Sequence, residues 1–169
     1  MSKFLPINGA VVANAFYVDN ALAAKDVAMT LPEVTPETVD VQAMGTLTLP
    51  LWPRVSNMQL TVTKVGVDKG YRSMMAAKAV NLEARWAQTV TDSDGNSSVK
   101  GVKAFMKGSP SSIPGIGSTP GSSSDNDIVY NLTRYELVID GAEVCCIDRL
   151  AGICRIAGVD YAAALNNLL

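Results

Sequence analysis

Tyr135-Glu136-Leu137-Val138-Ile139-Asp140-Gly141-Ala142-Glu143-Val144-Cys145-Cys146-Ile147-Asp148 decides how this chain is read. Two β-rich runs flank Asp140-Gly141. A two-residue primed turn needs positive φ at both central positions, and Asp-Gly supplies it, so the stretch predicts a β-hairpin. Beyond it, Arg149 to Ile156 reads as a short strand, Ala157-Gly158-Val159-Asp160-Tyr161 as a turn and its exit, and Ala162 to Leu169 as an amphipathic tail. The C-terminal third is therefore antiparallel β with an amphipathic tail.

The same alternation recurs upstream. Gly45-Thr46-Leu47-Thr48-Leu49-Pro50-Leu51 has period two. Met58, Leu60 and Val62 lie on one side of the next run, with Gln59, Thr61 and Thr63 on the other, as in a strand with one wet face. Leu82 to Trp86 and Val99 to Lys107 read as further strands. Asp68 is placed to cap a helix running through Ala79, with Tyr71, Met74, Met75 and Lys78 at helical spacing. Phe16-Tyr17-Val18-Asp19-Asn20 reads as a strand entering a turn, and Thr30 to Val34 as an extended piece set by Pro32. Residues 1–15 have no clear period and read as an arm, and Thr35 to Val41 as an acidic loop. Gly108 to Asp127 is rich in Pro, Gly and Ser and reads as a mobile excursion inside the domain, not a boundary. The expected class is mainly β with one internal α-helix, an antiparallel sandwich or barrel in a single domain over residues 1–169.

Composition narrows the function. Hydrophobic residues are 48% and charged ones 18% of the chain, an apolar balance suited to a subunit that buries its faces against neighbours. The net charge is −2, with both signs dispersed, so there is no basic stripe for tight binding to a phosphate backbone. No apolar run approaches the roughly 20 residues of a membrane span. The N-terminal stretch has one Lys and is broken by Pro6, Asn8 and Asn14, a poor signal peptide. Cytoplasmic synthesis with three reduced cysteines is the expectation.

Catalytic patterns are scarce. The chain has no histidine, which removes Ser-His and Cys-His activation and most zinc patterns. Cys145 and Cys146 point to opposite faces of a strand and form no Cys-x-x-Cys pair with Cys154, so Cys146 and Cys154 read as small apolar residues of a core or interface. Asp92, Asp94 and Asn96 begin like a calcium loop, but Ser97 stands where glycine belongs and Lys103 where the bidentate Glu belongs. Gly115-Ile116-Gly117 lacks the rest of a phosphate cradle. Arg85 beside Trp86 reads as a solvated Arg next to a core Trp. No catalytic, cofactor or metal site is expected.

The hairpin, the Gly158-Val159-Asp160 box after it and the Leu-rich end together resemble the C-terminal signature of the major tail tube proteins of contractile-tailed phages. Further upstream, Phe16 to Asn20 is similar to the family's aromatic strand and turn, with Asn20 where members have Gly. Thr30 to Val34 is similar to its Leu-Pro segment, Ala43-Met44-Gly45 to its small-residue stretch, Met58 to Thr63 to its next strand, and Val102 to Gly108 to a strand end. The excursion from Ser109 to Asp127 replaces a shorter charged loop.

The resemblance implies a structural subunit and no cofactor. Six copies would close into a ring with a continuous inner β-barrel, and rings would stack into a tube within a sheath. Its partners would be copies of itself, the tail sheath protein, and terminator and baseplate proteins, with DNA passing through the lumen unbound. By this analogy Gln59, Thr61 and Thr63, with Glu136 or Glu143, face an uncharged or mildly acidic lumen. Contacts between subunits or rings fall at Pro36 to Met44 and in the tail from Asp160 through Tyr161, Leu165 and Leu168. Competing readings are the tube of a bacteriocin or injection machine, a monomeric barrel holding a small ligand, and a hydrolase using Asp92 with Asp94 or Asp125 with Asp127.

Overall fold

A computed structural model describes residues 5–169. Twelve strands and two helices follow in order. They are β1 (Ile7–Val18), β2 (Ala21–Lys25), β3 (Ala28–Thr30), β4 (Pro36–Gln42), β5 (Thr46–Val55), β6 (Met58–Val65), α1 (Lys69–Met74), β7 (Val80–Thr91), β8 (Ser97–Pro110), β9 (Asp125–Ile139), β10 (Ala142–Asp148), β11 (Ile153–Ile156), β12 (Val159–Asp160) and α2 (Ala163–Leu168). Every pairing is antiparallel. Ten strands form one sheet in the order β12-β11-β10-β9-β8-β7-β1-β2, with β6 on β9 and β3 on β6; β4 and β5 form a separate ribbon.

The hairpin is as read: Asp140 and Gly141 have φ of 50° and 77° between β9 and β10. Asp19 and Asn20 turn the same way, at 48° and 66°, where the chain leaves β1 for β2. Asn tolerates this region, so the missing glycine costs the turn little.

Strand β9 is the spine. Its first half pairs with β6, its second half with β10, and its other edge with β8. The register slips at Lys107/Gly108, so that Gly108 lies opposite Leu132 and Lys107 opposite Arg134, leaving Thr133 as an extra residue. This bulge changes which side chains point inward. Ile128, Tyr130 and Leu132 are inward before it, Tyr135 and Leu137 after it. Gly108 is required there, because any Cβ would collide with the Asn131 carbonyl.

The sheet curls so that both its limbs meet one core. Phe16 from β1, Leu60 and Val62 from β6, Leu82 from β7 and Tyr130 from β9 are fully or almost fully buried together. The Phe16 and Tyr130 rings lie 6.2 Å apart, tilted by 43°. Helix α1 closes the curl. Asp68 caps it by accepting the Tyr71 N–H at 2.9 Å, Tyr71 and Met74 face inward, and the Tyr130 hydroxyl donates to the Met74 carbonyl at 2.7 Å.

Several expectations need correction. The arm of residues 1–15 is strand from Ile7 on, held along β7; residues 1–4 lie outside the described residues. The acidic loop at 35–41 is strand β4, paired to β5. The helix expected to reach Ala79 ends at Met74, because Val80 must begin β7 opposite Gly108. The excursion from Gly108 to Asp127 shrinks to residues 111–124, since β8 and β9 extend into it from both sides. A second helix, α2, joins the internal one. The sheet does not close within the described residues: β2 and β12 end it, and β3 bounds the β6 branch.

Candidate functional site

Gln59, Thr61, Thr63, Glu136 and Glu143 lie on one face of the sheet. On β6, Gln59 donates to the Asn131 Oδ1 at 3.0 Å and Thr63 to the Asp127 Oδ1 at 2.6 Å, while Thr61 sits between them opposite Val129. The bulge at Thr133 keeps this face continuous along β9, so Arg134 and Glu136 follow Asn131 on the same side. Arg134 donates to Glu136 at 3.0 Å. Glu143, opposite Val138, takes both donors of Arg155, at 3.0 and 3.2 Å. The face continues over β8 with Lys103, Phe105 and Lys107 and over β7 with Asn81, Glu83 and Arg85.

Arg85 binds Glu83 and lies 4.6 Å over the Tyr17 ring. It is solvated, and the half-buried Trp86 packs against the core, as expected. The aromatic partner came from the strand next door, where sequence adjacency could not point.

The residues assigned to contacts between copies divide in two. Pro36, Asp160, Tyr161, Leu165 and Leu168 lie around the root of the β4–β5 ribbon and the tail. Tyr161 stacks on Trp52 at 6.0 Å, and a groove of about 360 Å³ runs between Glu37, Pro53 and Arg54 on one side and Leu165, Asn166 and Leu169 on the other. Asp160 accepts the Ala162 N–H at 2.9 Å in the turn before α2, which buries none of its residues. Met44 is elsewhere, fully exposed at the ribbon tip, with φ of 55°.

An exposed aliphatic face was missed by reading 35–41 as a loop. In the ribbon Val39 pairs with Leu49 and Val41 with Leu47, so these four side chains share one face, while Thr38, Asp40, Gln42, Thr46 and Thr48 share the other. All four aliphatic residues are exposed, Leu47 to 50%. Asp40–Thr48, Gln42–Thr46 and Glu37–Arg54 contacts brace the polar side. The signal was present: Thr38-Val39-Asp40-Val41-Gln42 alternates, and the charges obscured it.

The chemical alternatives find little geometry. Asp92 accepts the N–H groups of Asp94 and Asn96 at 2.9 Å each, which makes it a turn residue. Its carboxyl is held below the ordinary range chiefly by the Asn96 N–H. Asp127 is engaged with Thr63. Cys145 and Cys154 face the core, whereas Cys146 is fully buried on the opposite side of the sheet, opposite Glu136 and Arg155, so Cys146 and Cys154 are the small buried residues expected and the two adjacent cysteines face opposite ways. Burial pushes all three thiols up, so none is an activated nucleophile. Tyr130, Phe16, Met58 and Leu60 fill the interior where a ligand barrel would hold its guest.

These features define a mainly antiparallel β-protein with a broad polar sheet face and an exposed aliphatic ribbon. The chain belongs to the phage tail tube protein FII family, whose model matches residues 10–169. No curated protein matches it. Membership makes it a structural component of the virion tail that assembles with copies of itself into a tube.

Proposed function

We propose that this chain is the inner tube subunit of a contractile phage tail, with six copies per ring and DNA passing through the stacked rings. One observation carries the reading furthest: the five residues assigned to the lumen lie on a single polar face of an open sheet. Open edges are what inter-subunit pairing removes, and a ring closed by pairing has none left. The polar face then lines the channel, and the core packs behind it. The ribbon and the tail contact neighbouring copies, burying the aliphatic face that a two-stranded ribbon cannot cover by itself. The sheath surrounds the tube, terminator and baseplate proteins cap its ends, and the subunit is made in the host cytoplasm. A bacteriocin or injection machine would use the same tube without a capsid.

Negative-stain microscopy of the purified protein, before and after concentration, tests this. Hollow rings or rods of uniform width are expected. Leu47→Glu should abolish them while leaving the melting temperature of the free subunit unchanged. Rods formed equally well by Leu47→Glu would remove the ribbon from the interface.

A further inference from the structure

The polar face is not uniformly neutral; its charges are banded across the strands. Cross-strand neighbours set the rows. Lys25 lies opposite Ala15, Ala15 opposite Arg85, and Arg85 opposite Lys103. Two residues along, Glu83 lies opposite Phe105, and Phe105 opposite Glu136. Two further along, Asn81 lies opposite Lys107, and Lys107 opposite Arg134. On β7, β8 and the facing part of β9 an acidic and aromatic row therefore separates two cationic ones. On β10 and β11 the signs reverse, with Asp148 opposite Arg134, Glu143 opposite Val138 in the Lys103 row, and Arg155 in the Glu136 row.

Most of these charges are neutralised in place. Arg85 is bonded to Glu83, Arg134 to Glu136 and Arg155 to Glu143. Asp127 holds the Thr63 hydroxyl, and Asp148 accepts the N–H groups of Leu150 and Ala151. Among the described residues, Lys103 and Lys107 have no ion pair; both are exposed, on either side of the exposed Phe105. Four residues of strand separate them, about 13 Å. The major groove of a duplex is about 12 Å wide, so the two rows match two phosphate ridges, with the acidic row facing the groove between them.

We propose that Lys103 and Lys107 make sliding, sequence-independent contacts with the phosphates of duplex DNA. This rests on the reading that the polar face lines the channel. Two contacts per subunit give weak binding to a single copy, and the repetition of the pair around and along a tube makes it measurable. The consequence is a wall that guides its cargo at two lysine positions, with the ion-paired row between them close to neutral, where the mildly acidic lumen expected above would only repel. Because every contact releases counterions, the grip weakens steeply as salt rises.

The test uses assembled rods, a fluorescent linear duplex and a nicked circular duplex, with retention measured by co-sedimentation from 20 to 200 mM salt. The linear duplex should be retained at low salt and the circle should not, since a circle offers no end to thread. Lys103→Gln/Lys107→Gln rods should lose that retention, and the slope of log affinity against log salt should fall by about two for each subunit engaged, one per lysine. Equal retention of the circle, lost in the double variant, would keep the DNA contact and overturn the channel placement. Absence of retention at 20 mM salt, or retention unchanged in the double variant, would overturn the contact itself while intact rods leave the tube reading standing. Polyglutamate held as firmly as DNA would replace the proposed partner with an acidic polypeptide.

Discussion

Strands β5 and β6 follow each other in the chain, alternate in the same way, and meet opposite fates. In β6, Met58, Leu60 and Val62 are fully buried in the core. In β5, Leu47 and Leu49 face solvent, paired only with Val41 and Val39. Period two reveals that a strand has an apolar face; it does not reveal what covers that face. The subunit covers one of them itself and leaves the other for a partner.

The largest expected effect lies on the covered side. Leu60→Ala removes a fully buried side chain from the centre of the core. It should cost about 2–5 kcal/mol, read from chemical denaturation of the free subunit. A cost under about 1 kcal/mol would mean that β6 is no better covered than β5, and the contrast would fail.

Tyr130→Phe is a smaller and sharper change. The ring stays against Phe16, but the hydroxyl that donates to the Met74 carbonyl is gone. Burial pushes that hydroxyl's pKa well up, so it stays protonated and a donor throughout the working range. The loss should be about 1–3 kcal/mol, the cost of leaving a buried carbonyl unpaired. Faster amide exchange in α1 should accompany it; unchanged exchange there would detach the helix from the spine.

How much of this was legible follows from the same contrast. The Asp140-Gly141 hairpin, the wet face of β6 and the Asp68 cap rest on local chemistry, which a sequence displays. Residues 7–15, within the stretch 1–15 read as an arm, and the stretch 35–41 were misread because neither fills its own apolar face locally. Ile7, Val11 and Val12 are exposed along β1, and Val39 and Val41 along β4. The bulge at Thr133 was not legible at all. It lies where Gly108, on a strand more than twenty residues away, lets the Asn131 backbone approach closely, and it keeps Glu136 on the face of Gln59. The ribbon's alternation was visible, and only its charged residues disguised it.

Asp68 offers a pH-dependent handle on how α1 closes the core. The Tyr71 N–H, and after it the Lys64 ammonium at 3.1 Å, hold its carboxyl below the ordinary range. A depressed folded pKa stabilises above the unfolded value, near 3.9, and that stabilisation is lost as pH falls through the lower folded value. The Lys64 side chain is only 7% exposed, so protonating Asp68 leaves a buried ammonium without its carboxylate. Melting curves of the parent and of Asp68→Asn should differ by a few degrees at pH 6 and converge at the acid end. A gap that persists undiminished below pH 2 would assign the effect to shape and not to charge.

The smallest expected effect on the subunit is the most informative for the comparison. Leu49→Ala deletes as many atoms as Leu60→Ala, from a side chain that is 39% exposed and touches a ribbon belonging to no other sheet. A partly exposed side chain that leaves no closed cavity behind gives up little burial, so the free subunit should lose no more than about 0.5 kcal/mol. Assembly should respond differently, because in a ring or stack the same atoms would be buried against another copy, and each copy repeats the loss. The concentration needed for rods, measured by sedimentation, should therefore rise well beyond what the stability change predicts. If Leu49→Ala leaves that concentration unmoved, the ribbon's aliphatic face is covered by something other than a copy of this chain. If it costs the free subunit as much as Leu60→Ala, the face is already covered within one chain, and the distinction between the two strands disappears.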